Sequence, residues 1–114
     1  MGSVPKSAKK NYNALVLGTI QNVLLDVFGE RTLRKIRQVL KDRYSLEWQE
    51  IPEKSEAFSS ALKEILGKGA VIIEDLIVEN LYKSLGKDLQ WRKDYTFSDY
   101  ISSLSEENKP ILRT

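Results

Sequence analysis

From Asn13 onward, apolar residues recur at steps of three and four, the period of one helical face. Leu17, Ile20, Leu24 and Val27 form the first such stripe, with Thr19, Asn22 and Asp26 set opposite. The spacing predicts an amphipathic helix from Asn13 to Phe28, capped by Asn13 or Asn11 and ended by Gly29. A second helix is predicted from Glu30 to Tyr44, with Leu33, Ile36, Leu40 and Tyr44 inward. Leu46, Trp48 and Ile51 alternate like a strand, but Pro52 and the short length favour a packed loop or a single turn. A third helix follows from Ser55 or Glu56 to Leu66, burying Phe58, Leu62 and Ile65 and stopping at Gly67.

The segment from Ala70 to Leu85 is apolar on more than one face, and only Asp75, Glu79 and Lys83 keep a narrow stripe polar. Its β-branched start resembles a strand, yet its length and the four-residue spacing of the polar stripe favour a helix. Such a helix is expected at the centre of the fold, with the others around it and Gly86 at its end. Residues Lys87 to Tyr95 follow no clear period, and Leu89 and Trp91 are their expected anchors. A last helix is predicted from Phe97 to Leu104, opened by Thr96 and Asp99 in the spacing of a capping box. The fold class expected is all-α, a bundle of about five helices around the apolar helix Ala70 to Leu85. Residues 13–105 form the domain, between a flexible basic arm at 1–12 and a flexible tail at 106–114.

A chain of 114 residues suffices for one core and is too short for two. With 41% apolar and 30% charged residues it has the balance of a folded chain, not a disordered one. Cysteine is absent, so disulfides and thiolate metal sites are excluded, and the expected compartment is the cytoplasm. The first residues lack a signal-peptide core, and no stretch approaches the roughly 18 apolar residues of a membrane span.

Charge is unevenly distributed. Residues 1–46 hold nine basic and three acidic residues, a net of +6, whereas residues 47–114 hold nine and thirteen, a net of −4. Arg31, Arg34, Lys35, Arg37, Lys41 and Arg43 crowd the second helix and are the candidate anionic-partner site, with Lys6, Lys9 and Lys10 as additions from the arm. The competing reading is a solvated face paired with local acids.

Histidine is also absent, which removes the usual general base near neutral pH and the commonest metal ligand. No cofactor or metal is expected, and the only carboxylates offered for catalysis are Glu74, Asp75 and Glu79 on one helix. Neighbours such as Glu74 and Asp75 project about 100° apart there. Gly67, Lys68 and Gly69 before a helix resemble a phosphate loop poorly, because a nucleotide loop needs a preceding strand, wider glycine spacing and a Ser or Thr after the lysine. Trp48 and Trp91 are expected to close the core, the alternative being anchors for a partner.

Ile51, Pro52, Phe58, Leu62, Ile65, Leu66, Gly67, Gly69, Ala70, Ile73, Glu74, Ile77, Leu81, Tyr82 and Gly86 form a pattern that resembles a small archaeal helical family, the Nitrosopumilus output domain. Phe28, Gly29, Leu33, Leu40 and Leu46 extend it, so that it covers roughly residues 16–86. The resemblance implies an archaeal, intracellular domain that acts in signalling output by binding, without catalytic residues. The function expected is therefore a non-enzymatic interaction module that binds a protein partner or itself. The alternative is a nucleic-acid-binding protein using the basic helix at 31–43.

Overall fold

One residue turns the first helix. In the computed structural model, which describes residues 6–107 and the side chains of 9–105, helix α1 spans Lys6–Tyr44 with a single non-helical residue, Gly29, at φ 84° and ψ 171°. That combination is open essentially to glycine alone. The two helices expected on either side of Gly29 thus join without an intervening loop, and four α-helices, not five, are present among the described residues. A short 3₁₀ turn at Trp48–Glu50 leads to α2, Ser55–Leu66, then α3, Gly69–Ser84, and α4, Phe97–Glu107. Every described element is helical or irregular, in keeping with the all-α expectation.

The residues expected to form a flexible arm are helical from Lys6 on. Tyr12 is buried, and its hydroxyl donates a 2.6 Å hydrogen bond to the carbonyl of Ile101 in α4. Residues 1–5 and 108–114 lie outside the described part. The buried stripe of α1 before the corner is Tyr12, Val16, Ile20, Val23 and Leu24, which turns the helix from the expected register. Val27 is exposed in consequence, and Thr19 is buried with its hydroxyl donating to the carbonyl of Leu15 at 2.8 Å. Beyond the corner, Leu33, Ile36 and Leu40 are inward as their spacing predicts.

α2 buries Phe58 and Leu62, and α3 buries Ile73, Ile77 and Leu81. α3 contacts each of the other three helices, and those three also contact one another. Two residues in the first turn of α3 face solvent, Val71 at 52% and Ile72 at 65% exposed, against the expectation of a helix enclosed by the others. Leu46 and Ile51 plug the core from the irregular segment, and Phe97, Ile101 and Leu104 close it from α4. The cap of α4 is reciprocal, with Thr96 N–H donating to Asp99 Oδ2 at 2.8 Å and Asp99 N–H to Thr96 Oγ1 at 3.1 Å.

Candidate functional site

The basic residues of α1 divide by helical phase. Arg34, Arg37 and Lys41 stand three and four residues apart and share one side, where Gln38, Glu47, Trp48 and Gln49 complete a shallow cleft of about 380 Å³. The guanidinium of Arg37 lies over the indole of Trp48, 4.6 Å from its centroid. Trp48 is half-buried, so it both packs on the core and floors the charged cleft. Arg31 and Lys35 are exposed on the flank, about 60° and 100° around the helix from Arg34. Arg43 points away to the Tyr44 ring, 5.9 Å from its centroid.

The basic side chains share their cleft with Glu47 but make few ion pairs. Arg34 has a 3.7 Å pair with Glu30, and both are well exposed, which makes it a weak restraint. Among the described residues Arg31, Lys35, Arg37, Lys41 and Arg43 have no carboxylate within 4 Å. Lys9 belongs elsewhere: it pairs with Glu53 at 3.1 Å and lines a separate polar cleft with Tyr12, Ser55 and Ser98. The side chain of Lys6 lies outside the description.

A second cleft, also about 380 Å³, opens where α3 meets the irregular segment 87–96. Val71 and Val78 form one wall, and Trp91, Tyr95 and Tyr100 the other. Tyr100 is the fixed point of the aromatic wall. Its hydroxyl accepts from Arg92 N–H at 2.7 Å, and its ring meets Trp91 and Tyr95 edge-on at 5.5 and 5.0 Å. Trp91 itself is 51% exposed, which corrects its expected role as a core plug.

Glu74 lines this cleft although it is only 8% exposed. Ser59 on α2 donates its hydroxyl to Glu74 Oε2. Burial pushes the Glu74 carboxyl above its ordinary value, a rise that Asp75 adds to and that the Ser59 bond and the charge of Lys63 oppose. The three carboxylates named from the sequence do not act as a set, since Glu74 is inward while Asp75 and Glu79 are exposed.

Of the six basic residues offered from the sequence, Arg34, Arg37 and Lys41 line the first cleft, and the second cleft was not anticipated. A signal was present: Glu74 lies four residues from both Ala70 and Val78, inside the apolar stripe, and Ser59 stands likewise beside Phe58 and Leu62. Among the described residues no helix is long and apolar enough to cross a membrane, and no group of three acidic, histidine or cysteine side chains could hold a metal ion. The chain matches no protein-family model, no curated protein and no solved structure.

Proposed function

We propose that this chain is a non-enzymatic interaction module that docks a protein partner on the cleft between α3 and residues 87–96. The observation that carries the reading is Trp91, half exposed beside the equally exposed Val71 on the walls of one open cleft. Large apolar side chains held out of a core around a concavity are what partner-binding surfaces present, and tryptophan is enriched among the residues that dominate their energetics. The resemblance of residues 16–86 to an output domain would make the partner a component of an intracellular signalling relay. A photo-crosslinking residue substituted for Trp91 in the host cell should capture a discrete protein, and Val71→Asp should abolish the capture. Absence of any crosslinked species, or capture indifferent to Val71→Asp, would overturn the reading.

A second reading rests on the other cleft. Arg34, Arg37 and Lys41 converge beside Trp48, the combination of cationic groove and aromatic floor that suits a nucleic-acid backbone. No motif there marks a base reader, so contacts would position the strand without reading sequence. The acidic remainder of the chain, −4 over residues 47–114, opposes this reading.

A further inference from the structure

The cleft bearing Trp91 contains a group that a merely apolar dock does not need. α3 presents Ala70, Ile73, Ile77 and Val78 to the interior, and Glu74 occupies the same inward arc. A buried carboxylate costs free energy unless hydrogen bonds and opposite charge compensate it. Here the compensation is the neutral hydroxyl of Ser59 and the through-space charge of Lys63, which lines the same cleft, with no basic group within 4 Å among the described residues. A well-packed hydrophobic residue of similar volume would serve the fold as well or better. Glu74 is therefore better explained by what enters the cleft than by what holds it together.

We infer that the cleft receives a lysine side chain of the docked partner, its methylene stem against Val71 and Trp91 and its ammonium on Glu74. Long basic side chains lay their stems on apolar surface and keep the charge at the tip, which matches the apolar walls of Val71 and Trp91 beside the Glu74 carboxyl. Ser59 already occupies Oε2, which favours a point donor over the two-pronged grip of a guanidinium. The low dielectric of the aromatic wall strengthens a contact made there.

Charges on the rim shape the site without filling it. Asp75 adds a second negative charge near the opening, and Arg92 is turned onto Tyr95, 4.8 Å from the ring centroid and 3.1 Å from its hydroxyl. Lys63 acts on Glu74 through space and remains beyond ion-pair distance.

The inference rests on the docking reading, and small probes separate the two. N-acetyl-lysine methylamide, its norleucine analogue and its arginine analogue would each be titrated into the ¹⁵N-labelled protein, following the Trp91 indole N–H and the amides of residues 71–78. The lysine probe should bind at millimolar concentration, about tenfold more tightly than norleucine, a difference of about 1.4 kcal/mol. Glu74→Gln, checked for an unchanged overall spectrum, should erase that difference, and Arg34→Ala should leave it intact. Equal binding of lysine and norleucine, tighter binding of arginine, or a preference that survives Glu74→Gln would overturn the assignment. Capture at position 91 without a lysine preference sinks this inference and spares the docking reading. A lysine preference without capture sinks the docking reading and, with it, a protein partner as the source of the lysine.

Discussion

The hydroxyl of Tyr12 reaches the carbonyl of Ile101 across 89 residues of sequence, tying the start of α1 to α4 at 2.6 Å. Tyr12→Phe keeps the ring in the core and removes only the bond, so it should cost about 0.5–1.5 kcal/mol in chemical denaturation. Tyr12→Ala also removes the packing and should cost about 3–5 kcal/mol. Burial, and to a lesser extent nearby Tyr82, raises the Tyr12 pKa far above its ordinary 10.0. The folded chain thus holds this proton more tightly than the unfolded one, and the stability it confers is full below pH 10.0 and declines above it. Tyr12→Phe should flatten that alkaline decline, and an equally steep loss in both proteins would refute the account.

Ile77 is fully buried in α3 at the meeting of the helices. Ile77→Ala should destabilise the fold by about 2–5 kcal/mol. A denaturation midpoint that barely moves, equivalent to less than ~0.5 kcal/mol, would place the core elsewhere.

For Glu74 the prediction is one of sign. Burial holds its pKa above the ordinary 4.5, so its contribution to stability is full below pH 4.5 and declines as pH rises through the raised value. Glu74→Gln retains an oxygen for the Ser59 hydroxyl and carries no charge. The variant should be more stable than the natural chain at pH 7, and the gain should vanish below pH 4.5. A gain independent of pH, or a loss at pH 7, would contradict the burial argument.

The basic cleft predicts a salt dependence. If Arg34, Arg37 and Lys41 with their neighbours make three to five phosphate contacts, affinity for DNA or RNA should fall roughly ten- to several-hundred-fold between about 50 and 200 mM salt. Neutralising Arg34 and Arg37 should flatten the slope, while Arg43→Ala, on the far side, should change it little. Binding assays with duplex DNA, single-stranded DNA and RNA would decide it, and no binding at the low-salt end would eliminate the nucleic-acid reading.

The helix ends were legible because glycine and period announce them: Gly67 and Gly86 follow α2 and α3 within two residues of their ends. Solvent exposure of the basic side chains was legible too, since charge on an amphipathic helix belongs outside. What depended on distant partners was not. Tyr12 is structured by a bond to α4, which no local pattern contains, and Thr19 is inward because it returns its hydroxyl to Leu15 instead of water. Trp91 is held at the surface by Tyr100, and Glu74 is drawn inward beside Ser59. Both the aromatic wall and the buried carboxyl are products of packing between elements.

The corner at Gly29 makes the chain sensitive to counting. Because a single residue separates two rigid rods, adding or deleting one residue just beyond it would rotate Leu33, Ile36 and Leu40 by about 100° and carry the stripe out of the core. Segment 87–96 contains no helix and would absorb an added residue by local rearrangement. Length variation among descendants of this chain should therefore collect beside Trp91 and be purged around Gly29, so that the irregular segment is free to drift while the frame behind it keeps its count.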